Sequence, residues 1–418
     1  MELLKKIILE NQEFIKNRRV LTRNIHIPET ENIIVFTGIR RCGKTSLLYH
    51  VAKRMAIADV LFLDFEDERL VFLNTLENYD LILDSYLELF PDRQPVLFFD
   101  EVQGLKNWHL YVKRLYAKGF KIYITGSNAN LLSKEIATFL TGRAVEIRVF
   151  PFSFSEFLSY KKIGFTEKDK LIHKPQIMAA FNEYLLFGGM PEVIKTAAND
   201  KILVLKNIYT LLFYKDLIAR YDKNELLMRL IISKIAENIT KPFSISNLAN
   251  KIQPLYKTNR QTVTDYFRLL HIPFIIESIY PYRKSFVKRE NERKTYFADT
   301  GFIRLIAVKE EYGKSLENLV FGYLNRKFDM VYYYKTSNNL EIDFLVVENN
   351  ETKLFQVSYD VSDNLTRERE IKALVKGMRE LGLSHATLIT YAEKETLLIH
   401  DVTIDIKPFW EMILTETA

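Results

Sequence analysis

The first third of the chain alternates uninterrupted apolar runs with amphipathic stretches. Apolar runs stand at residues 33–36, 60–63, 96–99 and 122–124, with a more mixed run at 145–149. Strands buried on both faces of a sheet have this uninterrupted pattern. Helical periodicity fills the spaces between the runs, for example at residues 46–55 and 108–116. The alternation predicts a parallel α/β domain over residues 1–150.

After this first domain the pattern changes twice. Residues 151–223 have helical periodicity, for example at residues 174–187, and predict a helical lid or connector. Residues 224–310 contain two helical stretches, at 245–252 and 259–269, followed by segments rich in β-forming residues. Helix and strand patterns alternate again over residues 311–418, which predicts a second α/β domain.

Composition adds one local feature to this picture. The chain has 418 residues, 48% hydrophobic and 27% charged, which is typical of a folded protein with roughly two to four domains. Its net charge of +6 is concentrated between residues 241 and 300, where 11 Lys and Arg stand against 5 Asp and Glu. A basic region of this kind predicts a face that binds a polyanion.

Several other classes of protein are disfavoured. Cys42 is the single cysteine, which excludes an internal disulfide and a cysteine-based zinc site. No apolar run reaches the roughly 18 residues of a membrane span, and the amino-terminal stretch mixes charges into its apolar positions, unlike a signal peptide. We therefore expect no membrane span, no membrane partner and a cytoplasmic location.

The strongest chemical signal is a glycine-rich loop between the first apolar run and the first amphipathic stretch. Residues 38–45 read GIRRCGKT and fit the pattern G-x-x-x-x-G-K-[ST]. Glycines let such a loop wrap a phosphate, and the N–H groups at the start of the following helix favour its charge. We expect Lys44 to bridge the β- and γ-phosphates and the Thr45 hydroxyl to bind Mg²⁺. The predicted nucleotide-binding residues are Gly38, Ile39, Arg40, Arg41, Cys42, Gly43, Lys44, Thr45 and Ser46.

The loop also indicates which nucleotide binds and how its cysteine behaves. ATP is expected rather than GTP, because the guanine-recognition signature Asn-Lys-x-Asp is absent. The neighbouring Arg40, Arg41 and Lys44 are expected to favour the thiolate of Cys42 in an empty site. The alternative is that the thiol points into the core between sheet and helix, where a free cysteine behaves as a small hydrophobe.

Two carboxylates follow the third apolar run. Asp100 ends that run, where a P-loop protein places its second magnesium ligand. Glu101 directly after it is expected to polarise the water that attacks the γ-phosphate. The pair favours a hydrolysing ATPase over a small-molecule kinase.

Further candidates surround this pair in the sequence. Ser127 or Asn128, after the fourth run, is a candidate γ-phosphate sensor, with a plain strand-ending turn as the alternative. Residues 60–65 are expected to supply the extra strand between the two motifs that accompanies such a sensor. Arg143 is a candidate arginine finger, which would stabilise charge in the transition state.

Seven segments of the chain together resemble one known family. They read GIRRCGKTSLL, LFLDFEDERL, LFFDEVQGLKNW, ITGSNANLL, TGRAVEIRVFPFSFSEFL, YLLFGGMPEV and YFADTGF, and they span nearly the whole chain. In these segments the chain is similar to a large prokaryotic and archaeal family of AAA+-like ATPases with a shared C-terminal domain of unknown function. The resemblance implies an AAA+-like P-loop ATPase core, a winged-helix domain, and a C-terminal α/β domain like the PD-(D/E)xK, or restriction-endonuclease-like, nucleases.

The implied winged helix would use the basic residues of the middle region. Its recognition helix would run over residues 257–269, and its wing from residues 283–284 to 293–294. Phosphate contacts from such a helix and wing would give salt-sensitive, weakly sequence-selective DNA binding. The alternative is a winged helix that mediates only protein contacts, with a solvated basic hairpin. The candidate DNA-binding residues are Lys257, Arg260, Arg268, Arg283 and Lys284.

The implied nuclease-like domain has only part of a cleavage site. Glu317 and Asp343 match the acidic helix residue and the strand aspartate, but the third element reads Gln356-Val357-Ser358. Gln356 still offers an oxygen to a metal, whereas Ser358 cannot replace the lysine that stabilises a phosphoryl transition state. We therefore expect a degenerate site that docks nucleic acid or is structural, with impaired cleavage.

Together these features predict an ATP- and Mg²⁺-dependent ATPase whose nucleotide state controls the C-terminal half, in association with DNA. The alternative is an ATP-gated signalling or defence switch with little turnover, which acts through protein partners or as a homo-oligomer and without DNA. A second alternative, an ATP-dependent nuclease, is disfavoured by Ser358.

Overall fold

The computed structural model describes residues 1–73, 75–126, 140–283, 292–307, 309 and 311–415. The chain forms two compact units. The first comprises Met1–Phe150 with Ile272–Phe274, and the second comprises Pro151–His271 with Ile275–Ala418. Ser127, Asn128 and Lys284 lie outside the described residues.

The first unit is built on a parallel sheet of five strands in the order β2-β3-β4-β1-β5. The strands are Ile33–Thr37 (β1), Val60–Asp64 (β2), Val96–Asp100 (β3), Ile122–Gly126 (β4) and Ala144–Arg148 (β5). Its helices are Glu2–Asn17 (α1), Lys44–Ala52 (α2), Asp80–Leu89 (α3) and Trp108–Ala117 (α4). The parallel α/β sheet predicted from the apolar runs is confirmed.

The position of β2 in this sheet differs from the expected one in a way that matters for the site. The strand between β1 and β3 is β4, whereas β2, which contains most of residues 60–65, lies at the edge. The expectation for β2 was therefore wrong. Parallel strands are joined by crossover connections, so neighbours in sequence need not be neighbours in the sheet.

The second unit begins with helices and continues as a mixture of helices and strands. The helices are Phe154–Tyr160 (α5), Glu167–Ile172 (α6), Lys174–Phe187 (α7), Pro191–Lys195 (α8), Lys201–Leu211 (α9), Glu225–Glu237 (α10), Ile245–Ile252 (α11), Arg260–His271 (α12), Thr300–Ile306 (α13), Tyr312–Lys327 (α14), Asn364–Leu381 (α15) and Phe409–Thr415 (α16). A π-helical segment, Leu212–Ala219, directly continues α9.

The strands of the second unit form one mixed sheet in the order β12-β13-β11-β10-β9-β8-β6-β7. They are Ile276–Pro281 (β6), Lys294–Phe297 (β7), Val331–Lys335 (β8), Glu341–Glu348 (β9), Glu351–Val357 (β10), His385–Thr390 (β11), Glu395–Ile399 (β12) and Val402–Pro408 (β13). The antiparallel hairpin β6–β7 joins the sheet where β6 pairs with β8 in parallel. Strands from the third and fourth predicted domains therefore share one sheet.

Helices pack on both faces of this second sheet. On one face a hydrophobic cluster contains residues from α5, α7, α14 and α16, among them Phe157, Phe181, Phe321 and Trp410. On the other face α15 packs through Leu374 and other apolar residues. The segment predicted as a lid or connector thus contributes to the core of the second unit. Within the described part of the chain, no helix combines the length and apolarity needed to cross a bilayer.

Candidate nucleotide site

The glycine-rich loop connects β1 to α2 at the carboxyl edge of the first sheet. Gly38, Arg41 and Gly43 have φ angles of 146°, 69° and 105°, and α2 begins directly after Gly43. A Cβ on Gly38 would lie 2.1 Å from the carbonyl oxygen of Val149, so only glycine fits there. The amino terminus of α2 follows this turn, which is the arrangement that binds phosphates.

Lys44 lies across this loop and reaches the neighbouring acidic residue. Its side chain is buried, and its Nζ donates to the carbonyl oxygens of Gly38 at 3.1 Å and Ile39 at 3.3 Å. The same Nζ lies 3.9 Å from Glu101 Oε1. The structure therefore brings together the two residues assigned to the phosphates and to the attacking water.

Asp100 ends β3 beside the loop and has two hydroxyl partners. The Thr125 hydroxyl on β4 donates to Asp100 Oδ1, and the Thr45 hydroxyl also hydrogen-bonds to this carboxylate. Burial, helped by the charge of Glu101, raises the pKa of Asp100 to about 7. The Thr45 hydroxyl and the buried Asp100 carboxylate offer hard oxygen donors, which are the ligands that suit Mg²⁺. Thr45 and Asp100 would hold the ion, which would neutralise charge on the phosphate oxygens when bound.

Glu101 is held in place by a residue that the sequence analysis did not assign. Its backbone is left-handed, with φ of 46°, a conformation that non-glycine residues seldom adopt. Its N–H donates to Thr125 Oγ1 at 2.9 Å, and its carboxylate accepts a hydrogen bond from Gln103. Thr125 thus positions both Asp100 and Glu101. The only signal in the sequence was its place at the end of the fourth apolar run.

A second ion pair ties the tip of the loop to the segment after β2. The buried Arg40 donates to Glu66, with 3.1 Å between Nη1 and Oε1. Asp64, at the end of β2, is the register partner of Asp100, and burial raises its pKa. The sequence analysis used this acidic segment only as part of the resemblance, so Asp64 and Glu66 are additions to the site.

The thiol of Cys42 points inward, which corrects the expectation of a favoured thiolate. Cys42 is fully buried, and burial raises the pKa of its thiol despite the charges of Lys44 and Arg23. Its carbonyl oxygen accepts from Arg23 Nη1 at 3.0 Å, and Arg23 Nη2 donates to Phe150 O at 2.9 Å. The backbone of Cys42 belongs to the loop, whereas its side chain belongs to the core.

Of the remaining predicted residues, Arg41 and Ser46 lie in the loop and in α2, whereas Arg143 lies apart from them. Arg41 is exposed, and Ser46 is half-buried in the first turn of α2. Arg143 precedes β5, and its carbonyl oxygen accepts from the N–H of Ile33 at the beginning of β1. This is the sheet edge opposite the loop, so Arg143 does not reach the phosphates of its own chain. A finger acting on another copy stays a prediction.

The basic candidates of the second unit are mostly on its surface. Helices α10, α11 and α12 pack against one another, and Phe243 forms an antiparallel bridge with Arg293 beside the hairpin β6–β7. Four of the five candidate DNA-binding residues are described, and all four are exposed: Lys257, Arg260, Arg268 and Arg283. Lys294, placed by the sequence analysis at the end of an exposed wing, is instead completely buried. That part of the prediction was wrong.

The residues of the predicted degenerate nuclease-like site are partly brought together. Glu317 on α14 and Asp343 on β9 both bond to the ammonium of Lys294. The N–H of Asp343 donates to Gln356 Oε1 at 3.2 Å, whereas the Ser358 hydroxyl donates to the carbonyl oxygen of Asp360. Among the described residues, no group of three His, Cys, Asp or Glu is arranged to hold a metal ion.

Comparison with protein families agrees with the class that the first sheet and its loop define. An AAA domain matches residues 30–158. A domain of unknown function (DUF8612) matches residues 178–311, and a second one (DUF4143) matches residues 312–411. Residues 30–158, which hold the first sheet and its loop, are therefore similar to AAA-type P-loop domains, a class that binds nucleotides.

Two curated proteins are similar over most of the chain. MJ1544, an uncharacterized protein of Methanocaldococcus jannaschii, is 33% identical over 99% of this chain and 95% of its own length. An uncharacterized protein of Haemophilus influenzae is 29% identical over 85% of this chain and 89% of its own. The chain belongs to the same family as MJ1544.

Among solved structures, the RuvB Holliday junction branch migration motor of Thermotoga maritima overlaps 66% of this chain and 89% of its own, with 15% identity and a TM-score of 0.29.

Proposed function

We propose that this chain hydrolyses ATP, with Mg²⁺ held by Thr45 and Asp100, and that its nucleotide state controls the second unit. One observation carries the proposal. The phosphate loop, the buried Asp100 and the Glu101 carboxylate meet at one sheet edge, with Glu101 3.9 Å from the Lys44 ammonium. A hydrolase needs this combination, because the nucleotide, the metal ion and the attacking water must be adjacent.

Each of these residues has a distinct task in the proposed reaction. The loop N–H groups bind phosphate oxygens, and the Lys44 ammonium exchanges its two backbone carbonyl partners for the β- and γ-phosphates. Glu101 accepts a proton from the attacking water. Thr125 positions Glu101 and Asp100 through its single hydroxyl.

For the second unit we propose association with DNA through the exposed cations of α12 and the hairpin. The order of elements supports this proposal, since three packed helices are followed by an antiparallel hairpin, as in a winged helix. The nuclease-like identity of the C-terminal sheet is part of the same proposal. The alternative is an ATP-gated switch that acts through protein partners. Steady-state ATP turnover, titrated with single- and double-stranded DNA, separates the two.

The ATPase proposal is tested with two substitutions. Lys44→Ala removes the charge shared by the phosphates, so nucleotide binding or turnover is expected to be lost. Glu101→Gln keeps the size and loses the base, so ATP should stay bound while turnover falls at least about 100-fold. Turnover is measured by phosphate release, and binding by retention of labelled ATP.

An exposed glutamate provides the matched control. Glu29→Gln makes the same chemical change at a solvent-exposed position of the first unit and should leave turnover unchanged. Unchanged turnover in Glu101→Gln would rule out the assigned water-activating role. Turnover retained in both Lys44→Ala and Glu101→Gln would place the activity elsewhere in the chain or in a contaminant.

A further inference from the structure

A buried lysine joins three carboxylates in the second unit. The side chain of Lys294, on β7, is 1% exposed, and its Nζ lies 2.7 Å from Asp343 Oδ1, 2.9 Å from Glu341 Oε1 and 3.0 Å from Glu317 Oε1. The hydroxyl of Tyr296 donates to the same Glu317 oxygen at 2.9 Å. An ammonium has three N–H donors, and each of them has a carboxylate acceptor here.

Carboxylate charge keeps this ammonium ionised in the protein interior. Burial alone would lower the pKa of Lys294, but the charges of Asp343 and Glu317 reverse the effect and hold that pKa well above its usual value. Without the ammonium, Asp343 would be a buried anion facing two further carboxyl groups, which is strongly unfavourable.

Further hydrogen bonds fix Asp343 on the side away from the ammonium. Asp343 Oδ2 accepts from the N–H of Val357 at 2.9 Å, and Asp343 N–H donates to Gln356 Oε1. Gln356 Nε2 in turn donates to the buried Glu370 at 2.6 Å. Oxygen ligands converging on one point and oriented by outer partners are what a hard divalent cation requires. In this chain the point of convergence is an ammonium group.

We propose that Lys294 is a built-in replacement for a divalent cation: its ammonium supplies the positive charge between Glu317, Glu341 and Asp343, and with the lysine in place these carboxylates form no group that could hold a metal ion. The second unit therefore works without a metal in this site. A lysine that stabilises a reacting phosphate needs a free donor and access to solvent. Lys294 has neither, because its three donors are engaged by carboxylates and its side chain is 1% exposed.

Lys294 also links separate elements of the second unit. The lysine lies on the hairpin β6–β7, whereas its partners lie on α14 and β9. The ion cluster therefore links β7, at the edge of the second sheet, to α14 and to β9. Whatever the second unit binds, we expect its binding to be unaffected by EDTA.

The test is the gain of a metal site when the lysine charge is removed. Lys294→Met keeps the apolar stem and removes the ammonium. In the absence of nucleotide, the variant is expected to bind one more Mn²⁺ per chain than the wild type, measured by electron paramagnetic resonance of free Mn²⁺. Its melting temperature should rise with Mn²⁺ more than that of the wild type, because the ion binds only the folded state.

Two controls locate the gained site. Lys372→Met makes the same change at an exposed lysine of α15 and should bind no extra Mn²⁺. Lys294→Met combined with Asp343→Asn should lose the gain, because a central ligand is removed. A folded Lys294→Met variant without extra Mn²⁺ would overturn the proposal. So would Mn²⁺ binding by the wild type that Asp343→Asn abolishes, or DNA cleavage by the wild type that Lys294→Met abolishes.

Poor folding of the single variant still gives a decisive result. In that case Lys294→Met is refolded from urea with Mn²⁺ or with EDTA, and native structure is followed by near-ultraviolet circular dichroism. Recovery of the native signal with Mn²⁺ alone supports the replacement, because the ion supplies the missing positive charge. Equal failure in both conditions contradicts it.

Discussion

At the scale of single residues, Cys42 offers a direct test of how the phosphate loop is built. Its thiol is fully buried, and burial raises its pKa. Alkylation requires an accessible thiolate, so reaction with iodoacetamide is expected to be slow in the native chain, with or without Mg-ATP, and fast in urea. Because Cys42 is the only cysteine, mass spectrometry of the intact chain reports on this residue alone.

A cysteine placed at an exposed position supplies the control for that measurement. Lys372→Cys in a Cys42→Ala chain should react rapidly under native conditions, since residue 372 is exposed. Rapid native labelling of Cys42 that Mg-ATP suppresses would show instead that the thiol faces the nucleotide. The inward orientation would then be wrong.

At the scale of elements, two glycines and an aspartate fasten the end of α7 to the start of α13. Asp299 Oδ2 accepts from Gly189 N–H at 2.7 Å, and Oδ1 accepts from Gly301 N–H at 2.9 Å. Gly188 has φ of 73°, and a Cβ there would lie 1.7 Å from Asp299 Oδ1. Gly188→Ala is therefore expected to lower the free energy of unfolding of the second unit by about 3 kcal/mol. Urea unfolding followed by circular dichroism measures the change.

The same substitution within a helix is the matched control. Gly322 lies inside α14, and apart from its chain neighbours and the nearby backbone of the helix itself, no described atom lies within 4 Å of a Cβ placed on it. Alanine is favoured over glycine in helix interiors, so Gly322→Ala should raise the free energy of unfolding by up to about 1 kcal/mol. Equal effects from the two substitutions would mean that the contact with Asp299 contributes nothing.

Elements with a strong local pattern were predicted closely, and elements defined by distant partners were not. Helix α7 was predicted to the residue because a proline stands in its first turn and its apolar positions repeat with helical period. Helix α11 was also predicted to the residue, and Ser244 caps its start. Strands β12 and β13 were not predicted. Strand β12 lies at the edge of its sheet, where half-buried strands have a weak pattern, and β13 pairs with both β12 and β11, so pairing with other strands decides their structure.

The residues of the candidate sites also fall into those that short motifs predict and those that depend on distant partners. The phosphate loop and Asp100 with Glu101 follow from short contiguous motifs, so the sequence alone was enough to find them. Thr125 acts on Asp100, 25 residues away in the chain, and Lys294 meets Asp343 at a separation of 49 residues. No local pattern distinguishes a buried lysine from an exposed one. The basic wing was therefore extended one residue too far.

At the scale of the whole molecule, the basic region is the feature that distinguishes a DNA partner from a protein partner. Part of its positive charge is neutralised internally, because Lys294 is buried against carboxylates. The described cations that remain available to a partner include Lys257, Arg260 and Arg283, all exposed. Phosphate contacts release counterions, so DNA binding through them must weaken with salt.

Changing Lys257, Arg260 and Arg283 together to alanine is expected to weaken DNA binding and to reduce the slope of log affinity against log salt by roughly one for each phosphate-binding cation that is removed. Fluorescence anisotropy with a labelled duplex over a series of salt concentrations measures both quantities.

The matched control changes Lys168, Lys372 and Arg379 to alanine. It removes the same charge from other exposed positions of the second unit and should leave the slope unchanged. If DNA binding weakens equally in both triple variants, the effect depends on net charge alone and not on these three positions. If the wild type binds no DNA at low salt, the alternative of an ATP-gated switch that acts through protein partners is favoured. Electrostatic attraction is strongest at low salt, so an exposed basic face that docks DNA must bind it there.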